Sequence, residues 1–533
     1  MTAASTSIAL DPAAPPLPAD HVTATEWLAV FGAMLGAFMA VLNIQITNSS
    51  LAEIQGSLGA SLDEGSWIST SYLVAEIIVI PLSAWLGRVF SIRRYLLACA
   101  ILFLVFSAAC ATAHDLTTMI VYRAFQGFFG GVLIPMAFLI TLTTLPKSKQ
   151  PTGLAMFALT ATFAPAIGPT IGGWVTDNYG WEYIFYLNLV PGAFMLAFLW
   201  IALPARPMQL GLLKQGDWSG ILTMAVGLAA TEVVLEEGNR HDWLGSPLIL
   251  KMTIVAVVSL TAFLIIELVK KNPLINFRLF GNRTFALALF INVALGVVLY
   301  GSVYLLPVYL AQMQGYDALQ IGNVMVWVGL PQLVLIPMVP SLMKRFDARL
   351  IIAFGIVLFA GSCFMNMNLE RNNGGDQFLV PNIIRAIGQA FLMSPLSVIA
   401  TSTIPVEQAG SASGLFNMMR NLGGSVGIAL MSTLVTKREQ FHSSYIVQHI
   451  SLFNAATTQR IDNLTNLFLN RGVDVEEART KAIGMIANSA RYQSNLLAYG
   501  DAFAIMGGVL ALGLILLVFI PKPKIGAGGG GGH

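Results

Sequence analysis

A few charged side chains interrupt the long apolar segments of this sequence. They include Glu76, Arg123, Glu232, Arg385 and Arg420. A charged side chain at membrane depth is expensive, so such residues are functional candidates by default. Burial disfavours the charged form of a carboxyl group, which allows a buried acid to take up and release a proton near neutral pH. We therefore expect proton transfer at Glu76, with Arg123 as its partner in coupling.

The residues around these two charges carry the expectation further. Glu76 shares one helical face with Ser69, Tyr72 and Ser83, a spacing that predicts a polar cavity beside the acid. Arg123 begins the pattern Arg-x-x-Gln-Gly-x-x-Gly-Gly. Moving an arginine away from an acid changes the proton affinity of that acid and so couples conformation to protonation. Two alternatives stay open: a permanent ion pair of Glu76 with an arginine, and an Arg123 that only satisfies helix carbonyls.

Neutral polar and aromatic side chains at helical spacing are candidates for substrate contacts. A few polar groups among aromatic rings suit a ligand cavity, although the same groups can instead join helices to one another. The candidates are Asn43, Gln45, Thr47, Tyr72, Gln126, Asn292, Tyr300, Tyr304, Asn417 and Arg420. Glu232 stands near the end of its segment, away from the expected cavity, and the following Glu236 and Glu237 are expected at the membrane interface.

These side chains must be positioned by membrane-spanning helices. Of the 533 residues, 56% are hydrophobic and 11% are charged, whereas an average soluble domain has about 25% charged residues. A helix crosses the bilayer with about 20 apolar residues, so the sequence predicts an all-α polytopic membrane protein. The fourteen predicted spans are 27–51, 66–88, 94–113, 116–143, 151–176, 182–203, 217–236, 247–269, 284–312, 318–343, 349–368, 379–404, 407–436 and 500–520.

The distribution of basic residues predicts the orientation of these spans. The loop after the second span contains Arg88, Arg93 and Arg94, and later even-numbered loops are also basic. Cytoplasmic loops carry the excess of lysine and arginine, so we expect both termini in the cytoplasm. The stretch 437–499 would then be periplasmic. Its helical patterns predict a hairpin or extended helices, with a passive solvated loop as the alternative.

An internal repeat predicts two parallel halves. The segment 88–93 is similar to 344–349, and 122–126 is similar to 384–388. Parallel halves with a midplane site between them are a transporter arrangement, here with spans 7 and 8 inserted. The predicted domains are a disordered cytoplasmic tail (1–24), an N-terminal six-helix bundle (25–203), a linker with two inserted helices (204–283), a C-terminal six-helix bundle (284–520) that includes 437–499, and a Gly-rich cytoplasmic tail (521–533).

The fifth span contains the sequence APAIGPTIGG at 164–173. Two prolines remove backbone donors and should bend the helix, while glycines four residues apart give a smooth face for close packing. We expect that face to pack against span 10 or 13 of the other half and to act as a gate, with ordinary close packing as the alternative. The residues of this gating motif are Pro165, Gly168, Pro169, Gly172 and Gly173.

Several classes of protein do not fit the sequence. It has no G-x-x-x-x-G-K-[ST] loop for ATP, and its six histidines are scattered over tails and loops. We predict no catalytic residues, no metal and no cofactor, so the expected energy source is a proton gradient. A net charge of +2 gives no reason to expect a nucleic acid partner. The remaining partners would be membrane lipid and a small amphipathic substrate.

The chain resembles the fourteen-helix drug:proton antiporters of the major facilitator superfamily, and in particular the EmrB-type inner-membrane exporters. The resemblance covers essentially the whole chain and is carried by Gly168-Pro169-x-x-Gly172-Gly173, by 123–131 and by 42–48. It implies the major facilitator fold, proton-driven efflux from the bacterial inner membrane, and antibiotic resistance. It also implies a tripartite pump, assembled with a periplasmic adaptor protein and an outer-membrane channel.

The departures from the family pattern predict a specific change of mechanism. Asn43 stands where the family usually has Asp, and Glu76 stands where relatives often have a neutral residue. We hypothesise that the titrating acid has moved from span 1 to span 2. In the following loop, Arg88 takes the place of an acid and Ser91 that of a glycine. A dedicated exporter of one metabolite, such as a siderophore or fatty acid, is the alternative; an importer is disfavoured by the span 5 motif.

Overall fold

The computed structural model describes residues 22–521, apart from 215, 271–272, 372–373, 406–407 and 452. Most of the two predicted tails, 1–21 and 522–533, lies outside the described residues. Within the described part, every regular element is a helix and no strand occurs. This agrees with the predicted all-α class.

The first half of the chain forms ten helices that begin at a capping box. The backbone nitrogen of Thr23 donates to a carboxylate oxygen of Glu26 at 2.8 Å, and the backbone nitrogen of Glu26 donates to Thr23 Oγ1 at 3.2 Å, which satisfies amides that the first helical turn leaves free. The helices are α1 Ala24–Ser49, α2 Leu51–Ser57, α3 Leu62–Gly65, α4 Trp67–Phe90, α5 Ile92–Cys110, α6 Leu116–Gly130, α7 Leu133–Thr144, α8 Gln150–Tyr179, α9 Glu182–Tyr186 and α10 Leu189–Ala202.

The second half begins after a short insertion. The inserted helices are α11 Gly211–Lys214, α12 Trp218–Glu237 and α13 Pro247–Val269. The helices that follow are α14 Arg283–Gln314, α15 Ala318–Met343, α16 Ala348–Met365, α17 Leu379–Thr401, α18 Ala409–Gln448, α19 Ala455–Leu469 and α20 Val475–Val518. Asp217 caps α12 and Asp317 caps α15 through their side chains, so each begins at a strong helix-start signal.

The chain is a multi-pass membrane protein by the length and composition of its helices. Among the described residues, 12 helices are long and apolar enough to cross a membrane, and α8 makes up to 13 if its two bent segments form one span. From Ala409 onward, the predicted span 407–436 falls within α18, which is not among these helices. The count of fourteen and the cytoplasmic termini therefore stay predictions.

The stretch 437–499 is helical over most of its length. It contains the end of α18, all of α19 and the first part of α20. Arg438 on α18 and Asp501 on α20 form an ion pair at 2.5 Å, and His442 Nε2 lies 2.7 Å from the same Asp501 oxygen. This contact joins the two long helices, as the expectation of extended helices requires; the side of the membrane on which they lie stays a prediction.

The halves meet along four helix pairs, one of which is α8 with α17, and an inserted helix joins the halves. The helix α8 packs extensively against α15, while α18 packs against both α4 and α7. The inserted α12 packs against α13, and it also contacts α4 in the first half and α18 in the second. An inserted helix thus lies at the boundary between the halves rather than outside them.

Candidate functional site

A cavity of about 560 Å³ lies between the two halves and α12. Its walls include Glu76 from α4, Glu232 and Glu236 from α12, and Tyr300 and Tyr304 from α14. Most lining residues lie in the parts of their helices that are farthest from the loop of Arg88, Arg93 and Arg94. We call the side of that loop the basic side and the opposite side the distal side. The cavity extends to the distal ends of the helices.

The basic side is closed by contacts between α18 and the first half. Ser413 Oγ donates a 2.9 Å hydrogen bond to the Pro135 carbonyl oxygen. The ring of Phe416 stacks on Phe138 with 5.5 Å between centroids. The cavity is therefore accessible from the distal side and sealed on the basic side.

Glu76 is 3% exposed and lines the cavity. Among the described residues, its carboxylate forms no hydrogen bond and has no ion pair within 4.0 Å. The alternative of a permanent ion pair with Arg123 is therefore not what this conformation contains. An acid buried without a cationic partner is costly while it is charged, which favours a neutral Glu76 whenever protons can reach it.

Arg123 is instead enclosed by neutral groups. Its Nη1 donates to Asn43 Oδ1 at 2.6 Å and to Gln126 Oε1 at 2.7 Å, and its Nε donates to the Ile68 carbonyl oxygen at 3.2 Å. The guanidinium carbon lies 4.3 Å from the centroid of the Tyr72 ring. Gly127 makes this geometry possible, because a Cβ at that position would collide with the Tyr72 backbone.

A second buried arginine, Arg420, approaches the cavity from α18. Its Nη2 donates to Asn417 Oδ1 at 3.1 Å, and its guanidinium lies 5.4 Å from the Phe157 ring centroid. It also interacts with the Tyr300 phenol, and its positive charge interacts electrostatically with the Glu76 carboxyl group. Glu76 thus lies in the field of two arginines without forming an ion pair with either.

The structure divides the predicted substrate residues into two groups. Gln45, Tyr300 and Tyr304 line the cavity. The others lie outside its wall, in contact with helices or with a buried arginine: Asn43, Thr47, Tyr72, Gln126, Asn292, Asn417 and Arg420. Their part in substrate binding stays a prediction.

The expectation that Glu232 lies away from the cavity is wrong, whereas an interfacial position for Glu236 and Glu237 stays a prediction. All three line the cavity. Glu232 Oε1 accepts a 2.8 Å hydrogen bond from Ser425 Oγ, and Glu237 Oε1 accepts one of 2.8 Å from Thr70 Oγ1. These acids line the cavity because α12 packs between α4 and α18, and this packing cannot be predicted from the sequence. The spacing of the three acids on one part of α12 was the available signal.

A family model and curated relatives agree with this architecture. The model of the Major Facilitator Superfamily matches residues 33–428. The chain belongs to the major facilitator superfamily. It is 34% identical to the colistin resistance protein EmrB of Acinetobacter baumannii over 94% of this chain and 97% of the relative. It is 31% identical to the multidrug export protein EmrB of Escherichia coli K12, over 93% and 96%. The predicted resemblance to EmrB-type drug exporters is thereby confirmed.

Other relatives and solved structures add to this assignment. The fatty acid resistance protein FarB of Neisseria gonorrhoeae is 30% identical over 93% of this chain and 96% of its own. The proton:xylose symporter XylE has the same fold, with a TM-score of 0.60 at 12% identity over 95% of this chain and 98% of that one. A major facilitator of this type is a transporter and not a member of an enzyme class. Together with the apolar helices, the relatives identify a multi-pass protein of the bacterial inner membrane.

The span 5 motif of this major facilitator is bent as predicted but packs differently. The segments Gln150–Pro165 and Ile167–Tyr179 meet at 42°. A Cβ at Gly168 would collide with Gln45, and one at Gly172 with Ser49. The glycine face therefore packs against α1 of its own half, and the prediction of a partner in the other half is wrong for these glycines. Within the motif, Thr170 contacts the other half, where it touches Gly322 of α15. A gating role stays a prediction.

In the loop of Arg88, Arg93 and Arg94, a serine adopts a backbone conformation that is typical of glycine. Ser91 has φ 68° and ψ 132°, a region that favours glycine. The guanidinium of Arg93 lies 4.7 Å from the centroid of the Trp200 ring, while Arg94 is exposed. Ser91 therefore holds a backbone conformation typical of glycine although it has a Cβ.

Proposed function

We propose that this chain exports amphipathic drugs and other toxic small molecules across the inner membrane in exchange for protons. The single observation that carries the proposal is Glu76, a buried acid in the wall of the central cavity with no ionic partner among the described residues. The names of the EmrB relatives support the direction and the kind of substrate. No cofactor is needed, because the proton gradient supplies the energy.

The transport cycle follows from the two sides of the cavity. In the described conformation Glu76 takes up a proton from the distal side. Loss of its charge removes the penalty of burial, so the distal side can close around it. The contacts of Ser413 and Phe416 then separate, and the cavity opens to the basic side, where the proton leaves and substrate enters. Movement of one charge through 100 mV provides about 2.3 kcal/mol, enough for roughly a 50-fold gradient.

The proposed tripartite assembly is supported by the long helices beyond the cavity. Under the predicted orientation, the second part of α18, the helix α19 and the first part of α20 extend into the periplasm. Phe441, Tyr445 and Phe453 are exposed there, and exposed apolar side chains of this kind mark interaction surfaces. We propose that a periplasmic adaptor protein docks on these helices and connects the chain to an outer-membrane channel.

A dedicated exporter of fatty acids is the second candidate. The similarity to the fatty acid resistance protein FarB favours it over other metabolites. The two functions differ in substrate range and share the same cycle.

The deciding experiment measures transport by the purified full chain in proteoliposomes with an imposed pH gradient. The probes are ethidium and oleate, and the variants are Glu76→Gln and the control Glu370→Gln, whose side chain is exposed. We expect the gradient to drive uptake of a probe by the wild type and by the control, and Glu76→Gln to reduce the initial rate at least about tenfold. Full gradient-driven uptake by Glu76→Gln would exclude Glu76 as the proton carrier. Equal uptake with and without a gradient in the wild type would exclude antiport.

A further inference from the structure

We propose that the inserted helix α12 supplies a binding site for the positively charged group of an amphipathic cation. The carboxylates of Glu232, Glu236 and Glu237 form the charged wall of this site, and Tyr300 and Tyr304 of α14 form its aromatic wall. The inference rests on the proposed function, since it names the substrate class that the same cavity accepts. It also assigns a role in recognition to a helix that stands outside the two six-helix repeats.

The position of α12 makes its acids part of the cavity. It packs against α4 and α18, and two hydrogen bonds fix it there. Glu237 accepts from Thr70 of α4 and Glu232 accepts from Ser425 of α18, each at 2.8 Å. The last turns of α12 are thus held by both halves.

The carboxylates of this wall have little opposite charge beside them: among the described residues Glu232 forms no ion pair, Glu237 Oε2 lies 3.9 Å from His241 Nε2, and Arg240 lies near Glu236. Glu232 and Glu237 are each 1% exposed, and each has one oxygen, Oε2, without a hydrogen-bond partner. Hydroxyl groups satisfy the other oxygen of each. Buried charge without a counter-charge is unstable, so the arrangement favours a cation that enters from the cavity.

Glu76 gives independent support for a ligand at this place. It is 3% exposed, lines the same cavity from α4, and has no hydrogen bond or ion pair among the described residues. The lining also contains Glu53 and one basic residue, Arg240. Because the acids outnumber the single arginine, the wall attracts cations and repels anions.

The rest of the cavity suits the apolar body of such a molecule. The rings of Tyr300 and Tyr304 can hold a cation by its attraction to their π faces. Aliphatic side chains complete the lining, among them Ile44, Leu73 and Ile77. A volume of about 560 Å³ lies within the range of pockets for drug-sized ligands. A fatty acid would instead bring a carboxylate against carboxylates.

The test compares two ions of nearly the same size and opposite charge. Equilibrium binding of tetraphenylphosphonium and tetraphenylborate to the purified full chain is measured by titration calorimetry, without any gradient. The variants are Glu232→Gln and Glu236→Gln, and the control is Glu476→Gln, an exposed acid on α20. Glu232→Asp keeps the charge and shows whether a change of side-chain length alone weakens cation binding. Thermal unfolding identifies a variant that fails to fold.

We expect the wild type to bind the cation more tightly than the anion. Glu232→Gln and Glu236→Gln should each weaken cation binding about tenfold, as the loss of a charged contact does, and the control should bind like the wild type. Equal binding of the two ions, or wild-type cation binding by both variants, would overturn the proposal. If α12 only relays protons, both variants should bind the cation like the wild type, and their gradient-driven transport should be slower. Binding is measured without a gradient. The binding result can therefore be interpreted even if the proteoliposome experiment shows no antiport.

Discussion

Arg123 Nη1 donates a 2.6 Å hydrogen bond to Asn43 Oδ1, and both side chains are buried. The neutral amide satisfies the guanidinium without neutralising it. Arg123 therefore keeps its charge beside an amide, while Glu76 lies near enough to interact with that charge electrostatically.

Replacement of Asn43 tests this relationship. Asn43→Leu removes the acceptor of a buried, charged hydrogen bond and should lower the free energy of unfolding by about 1–3 kcal/mol. Asn43→Asp should form an ion pair with Arg123 and retain the fold. The midpoint of thermal unfolding in detergent gives both results, with Asn466→Leu on the exposed face of α19 as the control. An unchanged midpoint for Asn43→Leu would mean that Arg123 does not depend on this acceptor.

The contact of Thr170 with Gly322 predicts where a gate between α8 and α15 is sensitive. Gly322→Ala places a Cβ against Thr170, and overpacking of this kind costs about 1–3 kcal/mol. Because the contact is already present in the described conformation, the added Cβ should hinder movement of α8 against α15, and the transport rate should fall at least about fivefold. Gly361→Ala is the matched control, because nothing lies within 4 Å of a Cβ there. Equal rates for the two variants would mean that transport does not depend on close packing at this contact.

The stack of Phe138 on Phe416 predicts the strength of the seal on the basic side. Phe416→Ala removes an aromatic pair worth about 1 kcal/mol, so the fraction of molecules open on that side should rise about fivefold. Labelling of Ser411→Cys by an impermeant maleimide, in a variant without the natural cysteines, measures the change. Phe441→Ala, at an exposed ring, should leave labelling unchanged. Equal labelling in both variants would contradict a seal at Phe416.

The strained turn at Ser91 predicts a stabilising substitution. A serine with φ 68° is costly, by about 1–2 kcal/mol, whereas glycine adopts this conformation readily. The Ser91 hydroxyl is also buried without a hydrogen-bond partner. Ser91→Gly should raise the midpoint of thermal unfolding, and Ser91→Ala, which keeps the Cβ, should raise it less. If Ser91→Ala has the larger effect, the hydroxyl and not the backbone is the source of strain.

The cap of α12 predicts a dependence on pH. Burial acts to raise the pKa of Asp217, but hydrogen bonds from Lys270, Gly220 and Ser219 outweigh it and hold the pKa below its usual value. A lowered pKa in the folded state adds stability above the pKa of the unfolded chain, and this is lost as the pH falls through the folded value. Asp217→Ala should cost about 1 kcal/mol at pH 7.

The difference between wild type and Asp217→Ala should shrink as the pH falls below about 4. Thermal unfolding at a series of pH values measures it. Asp462→Ala, on the exposed surface of α19, should show no such difference at any pH. A constant difference for Asp217→Ala across the series would mean that the ion pair contributes nothing and the cap alone acts.

The sequence alone determined the helices, their membrane character, the bend at Pro165 and the small set of buried charges. These depend on the length of apolar segments, on helical periodicity and on local backbone chemistry, and all of them act between neighbours in the chain. The tertiary structure decided which faces meet. Gly168 and Gly172 contact α1, Asn43 contacts Arg123, and Glu232 lines the cavity because α12 packs between the halves. Such pairings depend on the rotation and neighbours of each helix, and many arrangements of apolar helices bury their surfaces equally well.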